Sequence, residues 1–263
     1  MTQHKLTDAI ESTDPETRMW KSRFAAAKAA YAIGDFRQCE SLLYRALEQA
    51  KSLKERTFAI NTCHVGLGAL YVATDKLDQA REQLAKVINA LSGGGEPALT
   101  ELYSVALRLH GGLLLESGDY AGAESELKAA IQAVENLGVD GAVQLAYAMS
   151  DLGQLYVMQD NLKDAKELIF SAMDILEGVL GPENPEYIRA NVIYNICQAK
   201  DEDELLSEVE DSIVRMQYQR GQKHPNITRA LRWYLKKRKE RGETDKITEA
   251  EERFDLHTKA LAF

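Results

Sequence analysis

The chain repeats one short word, Gly118-Asp119-Tyr120 in its third copy, with the small residue Ala123 three positions further on. The four copies, each with the small residue that follows it, are Gly34-Asp35-Phe36 with Cys39, Asp75-Lys76-Leu77 with Ala80, Gly118-Asp119-Tyr120 with Ala123, and Asp160-Asn161-Leu162 with Ala165. Successive small residues are 41, 43 and 42 positions apart. A self-similar word at such a steady period is typical of stacked supersecondary units and not of one globular core.

Each unit reads as two helices joined by a tight turn. In the fourth unit, apolar residues recur at helical spacing from Leu145 to Tyr156, stop at Gln159-Asp160-Asn161, and resume from Leu162 until Gly181-Pro182. This pattern predicts a helix, a turn near 159–161 and a second, antiparallel helix. The other copies of the word predict turns near 34–35, 75–76 and 117–119. The sequence therefore predicts an all-α protein.

Glycines inside the predicted first helices recur in register. Gly68, Gly111 and Gly153 each lie seven residues before the turn word, and Ala27 takes this place in the first unit. Glycine within a helix costs about 1 kcal/mol relative to alanine. A cost repeated at the same place predicts that the two helices of each pair approach closely there.

These residues resemble the tetratricopeptide repeat. The positions that carry the resemblance are Leu67, Gly68, Tyr71 and Ala80 in the second unit, and Leu152, Gly153, Tyr156 and Ala165 in the fourth. The period of about 42 residues is similar to the longer-helix repeats of kinesin light chains and many bacterial relatives. The first unit lacks the Leu-Gly pair, and the second and fourth units have Asp where the turn glycine usually stands. The resemblance implies a right-handed α-solenoid, which we expect to hold about six antiparallel helix pairs.

The sequence divides into three parts. Residues 1–14 are predicted to be an N-terminal tail that ends at the helix start Thr13-Asp14-Pro15. Residues 15–183 are predicted to form four tetratricopeptide-like repeats. Residues 184–263 follow the period less closely and read either as two diverged repeats or as C-terminal capping helices.

Composition and charge limit the partners and the location of the chain. The net charge is −9, which argues against nucleic acid and acidic membrane surfaces as partners. The chain has three cysteines without metal-ligand spacing, and this favours a reducing compartment, so we expect a cytoplasmic protein. No apolar run is long enough to predict a membrane span, and the N-terminus does not read as a signal peptide.

The sequence does not indicate catalysis. The five histidines are scattered, and the glycine run Ser92-Gly93-Gly94-Gly95 lacks the lysine and the hydroxyl residue of a phosphate-binding loop. No nucleophile, base and orienting group converge in the sequence. We therefore predict neither catalytic residues, nor a metal site, nor a cofactor.

The resemblance implies that the first helix of each unit lines a concave inner surface on which a partner protein binds. Counting from the close-approach positions, the residues predicted to face this groove are Phe24, Lys28, Tyr31, Val65, Val72, Arg108, Leu115, Tyr147, Gln154 and Val157. Most are apolar, with Lys28 and Arg108 as isolated cations. Such a groove suits an amphipathic helix or an extended apolar peptide. Two alternatives stay open, because the chain's own C-terminal segment or a second copy of the protein would also cover it.

A second candidate surface is a basic segment near the C-terminus. Arg232, Lys236 and Lys237 lie among further cations and aromatic residues, downstream of an acidic block at 201–211. This segment is interpreted either as a docking patch or as the solvated face of a helix.

The sequence thus predicts a protein–protein interaction scaffold without catalytic activity. A peptide-responsive regulatory protein and a self-associating assembly factor are the alternatives, and the sequence leaves open whether the protein forms a homo-oligomer.

Overall fold

The computed structural model describes residues 14–198, 203–204, 206–207, 209–211, 213–214 and 225–253, and all regular structure in them is helical. The first eight helices are α1 Pro15–Ala32, α2 Phe36–Ala50, α3 Arg56–Ala73, α4 Leu77–Leu91, α5 Pro97–Glu116, α6 Tyr120–Glu135, α7 Ala142–Met158 and α8 Leu162–Leu180. The remaining three are α9 Pro185–Gln198, α10 Pro225–Glu240 and α11 Thr244–Arg253. The predicted tail, residues 1–14, lies outside the described residues except for Asp14, whose side chain caps α1 by accepting from the Thr17 N–H.

The repeated word forms the same turn in every unit. Its first residue has a positive φ in all four copies: 78° at Gly34, 60° at Asp75, 82° at Gly118 and 60° at Asp160. The N–H of the next residue then bonds to a carbonyl five positions back, as from Asp119 to Leu114 at 2.9 Å, which ends the first helix. The predicted turns are confirmed. Aspartate stands in two of these places because it tolerates the left-handed conformation better than most residues.

The glycines in register mark close contacts between paired helices. A Cβ built on Gly153 would lie 2.6 Å from Ile169 Cδ1, and one on Gly68 would lie 2.6 Å from Leu84 Cδ2. A Cβ on Gly111 would lie 3.1 Å from Leu127 Cγ. The opposing residues are completely buried. The predicted close approach is therefore confirmed, and the helix penalty of each glycine is offset by packing that a larger residue would prevent.

The helix pairs stack into an α-solenoid. Each helix packs against the next along the chain from α1 to α9. The first helices α3, α5, α7 and α9 also pack against one another, whereas no comparable contact joins successive second helices in the described chain. The first helices thus lie closer together than the second helices, so they form the inner face of the stack. We call the exposed surface of α1, α3, α5, α7 and α9 the inner face.

The C-terminal elements continue the core of the stack. Ile188 of α9 belongs to a buried cluster with Leu206, Val209, Leu231 and Tyr234. A turn at Gly242 follows α10. Its φ of 72° and the bond from the Glu243 N–H to the Arg238 carbonyl reproduce the turn of the four repeats. The division of 184–263 into diverged repeats or capping helices stays a prediction. In the described residues, no helix is both long and apolar enough to cross a membrane.

Candidate inner-face binding surface

The ten predicted groove residues all lie on first helices. Three are on α1, two on α3, two on α5 and three on α7. Lys28 is exposed and the other nine are half-buried, so each is partly accessible from outside. Four of them occupy one position in each unit, four residues after the close approach: Tyr31, Val72, Leu115 and Val157. We call these four residues the apolar row.

Two aromatic residues of α1 are partly used for packing within the first units. The Phe24 ring stacks on Trp20 with centroids 5.7 Å apart, and Trp20 meets Phe58 edge-on at 6.4 Å. The Tyr31 ring lies edge-on to Phe36 at 5.8 Å. These contacts fix the orientation of the rings at the N-terminal end of the inner face, which leaves little rotamer freedom to be lost on binding.

A polar centre joins three successive inner helices. Arg108 Nη1 of α5 lies 2.9 Å from Asp151 Oδ2 of α7, and Arg189 Nη1 of α9 lies 2.8 Å from Asp151 Oδ1. Arg189 also pairs with Glu186, with Nε 3.0 Å from Oε2. The expectation that Arg108 is an isolated cation is therefore wrong, because the chain supplies its own carboxylate. We call Arg108, Asp151, Arg189 and Glu186 the ion cluster.

The ion cluster is largely shielded from solvent. The Arg108, Asp151 and Arg189 side chains keep only 20–21% of their surface exposed. Burial by itself raises the pKa of the Asp151 carboxyl, but the charges and hydrogen bonds of Arg189 and Arg108 outweigh it, so this pKa lies below its ordinary value. Asp151 is thus held ionised between two guanidinium groups. Its contacts join α7 to α5 and to α9.

Two further predicted groove residues gather around the ion cluster. The Arg108 guanidinium lies over the Tyr147 ring, 5.5 Å from its centroid, and Arg189 Nη1 donates to Gln154 Oε1 at 3.4 Å. Sequence reasoning missed Asp151, Glu186 and Arg189. One signal was available for Asp151, which is the only charged residue of α7.

Away from this centre the middle of the inner face carries little charge, whereas the terminal helix α1 carries five charged residues, among them Lys28. The helices α3, α5 and α7 together contain only five charged residues, namely Arg56, Glu101, Arg108, Glu116 and Asp151. Two of these neutralise each other within the ion cluster. A partner on these three helices would therefore meet mainly apolar and small side chains.

Several cations of the basic C-terminal segment form ion pairs with carboxylates of the same chain. Arg238 pairs with Glu243 at 2.6 Å, and Lys237 pairs with Glu240 at 3.0 Å. The acidic block also takes part, since Arg241 lies 2.6 Å from Asp203. Lys236 stays 76% exposed, and the side chain of Arg232 lies outside the described residues.

Comparison with known proteins agrees with this architecture. Residues 145–186 match the family model of the tetratricopeptide repeat. Residues 145–186 thus carry a tetratricopeptide repeat, the fourth of the four similar units. The matched segment begins at Leu145 in α7, covers α8 and ends at Glu186 in the first turn of α9, and it includes the Gly153 contact and the Asp160 turn. No curated protein matches the sequence.

Solved structures share the fold of this repeat protein at low sequence identity. The apo form of RapI is 14% identical with a TM-score of 0.69, covering 98% of this chain and 87% of that one. Aspartyl phosphate phosphatase F from Bacillus subtilis is 13% identical with a TM-score of 0.70, covering 92% of this chain and 60% of that one. Repeats of a putative kinesin light chain from Podospora anserina are 15% identical with a TM-score of 0.52, covering 78% of this chain and 98% of that one.

Proposed function

We propose that this repeat protein is a non-catalytic interaction scaffold that binds a helix or an extended peptide of a partner protein on its inner face. The observation that carries the proposal is the apolar row, which places one half-buried apolar side chain from each of four units in register. Regularly spaced apolar side chains on a weakly charged surface suit the apolar face of a helix or the alternate side chains of an extended peptide.

The chemistry of the described residues favours binding over catalysis. They contain no group of three or more His, Cys, Asp or Glu residues placed to hold a metal ion. The shielded carboxylate of the inner face, Asp151, is engaged by two arginines and is not poised to accept a proton. Cys39 and Cys63 are buried free thiols, which fits a reducing compartment, and we therefore expect the protein in the cytoplasm. A peptide-responsive regulator and a self-associating assembly factor stay alternatives, since both would use the same row.

The proposal is tested by substitutions in the apolar row. Partners captured from the source cells by the full chain are identified by mass spectrometry, and the affinity of one of them is measured for Leu115→Ser combined with Val157→Ser. Because each substitution removes apolar contact worth about 1 kcal/mol, we expect the double variant to lose about tenfold or more in affinity. The matched control is Val179→Ser, which changes a valine that is 46% exposed on the second helix α8.

Substitutions in the basic C-terminal segment test the alternative docking site. If Lys236→Glu with Lys237→Glu weakens binding while the apolar-row variant keeps both its affinity and its melting temperature, the partner docks at the C-terminal segment and the proposal fails. Arg108→Glu is unsuitable as a probe, because the new carboxylate would face Asp151 and destabilise the fold.

A further inference from the structure

A groove opens on the outer side of the stack, between the second helices of the third and fourth units. Successive second helices do not pack closely together, and between α6 and α8 the space amounts to roughly 420 Å³. Its floor is apolar and consists of Leu152, Tyr156 and Leu168. Its rim consists of Lys128 from α6 and Asp164, Glu167 and Ser171 from α8. We call this space the outer groove.

The rim of the outer groove has an excess of negative charge. The one lysine, Lys128, is already neutralised by Glu124, whose Oε1 lies 2.6 Å from its Nζ and also accepts from the Tyr156 hydroxyl at 3.3 Å. Asp164 accepts a hydrogen bond from the Asn161 amide at 2.8 Å, which leaves its charge uncompensated. The Glu167 carboxylate forms no ion pair with any residue that the structure describes. Asp164 and Glu167, two carboxylates with no paired cation among the described residues, therefore border the apolar floor.

The second unit has a lysine at a position where the fourth unit has none. Glu82 and Glu167 both lie two residues after the small residue of their repeat, and Glu82 pairs with Lys86 at 2.8 Å. In the fourth unit, the place of Lys86 is taken by Ser171, whose hydroxyl bonds to the Glu167 carbonyl instead. Thus the second unit pairs its glutamate with a lysine four residues later, whereas the fourth unit has no lysine at that position.

The equivalent place between the first two units has a direct contact between two tyrosines. There Tyr44 takes the place of Lys128, and its hydroxyl lies 2.9 Å from that of Tyr71, the counterpart of Tyr156. The third and fourth units, by contrast, combine an open space with unpaired acids and an apolar floor.

We propose that the outer groove binds a lysine or arginine side chain of a partner protein. The cationic head lies between Glu167 and Asp164, and the aliphatic stem lies on Leu168 and the Tyr156 ring, an arrangement that suits an amphipathic cation. Charge complementarity selects this occupant: α6 and α8 together carry seven acidic residues and three lysines, so an acidic partner would be repelled. This site is separate from the inner face and does not depend on the function proposed for it.

The experiment titrates the isotope-labelled full chain with N-acetyl-argininamide and with N-acetyl-lysinamide, and follows the backbone amides by NMR. N-acetyl-glutaminamide serves as the neutral probe. We expect saturable shifts of amides at 128, 152–156 and 164–171 with the two cationic probes only. In Ser171→Lys the new amine takes the role that Lys86 has beside Glu82, and we expect this variant and Glu167→Gln each to weaken the binding about two- to fivefold.

The matched control is Glu82→Gln, which removes the paired acid of the second unit and leaves the binding unchanged. The proposal is overturned if the wild-type chain shows no shifts at these amides. It is equally overturned if Ser171→Lys and Glu167→Gln bind the cationic probes as well as the wild type does, or if the neutral probe produces the same shifts.

Discussion

Asp151→Ala should lower the free energy of unfolding by roughly 2–4 kcal/mol. The substitution leaves the guanidinium groups of Arg108 and Arg189 close together without the carboxylate that both contact. Removing one partner of a buried ion pair is costly because the remaining charges lose a counter-ion without becoming fully hydrated, although Arg189 keeps Glu186 as a partner. The loss is smaller than at a fully buried pair, since each side chain keeps about a fifth of its surface exposed. Denaturant unfolding at pH 7 measures it.

Asp78→Ala is the matched control for this effect. Asp78 also pairs with an arginine, Arg81, at 3.0 Å, but its side chain is 99% exposed. Ion pairs at the surface contribute only about 0–1 kcal/mol. Equal losses for Asp151→Ala and Asp78→Ala would mean that the ion cluster does not hold the inner helices together.

The contribution of Asp151 should also depend on pH, in a direction set by its lowered pKa. Because the folded chain holds the carboxylate more strongly than the unfolded chain, the stabilisation is fully present above the unfolded pKa of about 3.9. It is lost as the pH falls through the lower folded value. The difference in stability between wild type and Asp151→Asn should therefore narrow below about pH 4. A constant difference between pH 7 and pH 3 would contradict the assignment.

Gly153→Val should destabilise the fourth unit by about 2–3 kcal/mol. A Cβ on Gly153 would lie 2.6 Å from both Ile169 Cδ1 and Cγ1, and the Ala165 carbonyl oxygen would be 3.5 Å away. Ile169 is completely buried, so it has little room to move. Because each unit of a solenoid packs mainly on its neighbours, we expect the unfolding transition to broaden as well as to shift. Circular dichroism during denaturant unfolding measures both effects.

Gly112→Ala is the matched control, because Gly112 is also a helical glycine of a first helix. A Cβ at Gly112 meets nothing within 4 Å, so alanine there should stabilise the chain by up to about 1 kcal/mol through its helix propensity. The opposite order, with Gly153→Val neutral and Gly112→Ala destabilising, would show that close helix contact is not the reason for glycine at 153.

The features within one repeat could be predicted from the sequence, since they depend on residues close together in the chain. The left-handed turn residue recurs four times and the glycine seven positions before it three times, so each copy supports the others. The contact of Gly153 with Ile169 spans only 16 positions and follows from the geometry of two antiparallel helices. Repetition thus turned a weak local signal into a reliable prediction of the fold.

The ion cluster could not be predicted, because it depends on how three units are rotated against each other. Arg108, Asp151 and Arg189 come from consecutive units but occupy different places in the repeat, so no periodic pattern links them. The same reason applies to the C-terminal charges. Whether the basic block forms a docking patch or pairs with the acidic block depends on helix packing, and the pair Arg241–Asp203 became evident only in the structure.

Site-specific photo-crosslinking in the source cells tests the central claim most directly. A benzoylphenylalanine is placed in the full chain at Val72, Leu115 or Val157 of the apolar row, or at the exposed outer positions Ala90 and Glu135. The inner-face hypothesis predicts that the three inner positions crosslink to the same partner protein and that the two outer positions do not. Crosslinks that form from Ala90 and Glu135 but not from the apolar row would contradict it.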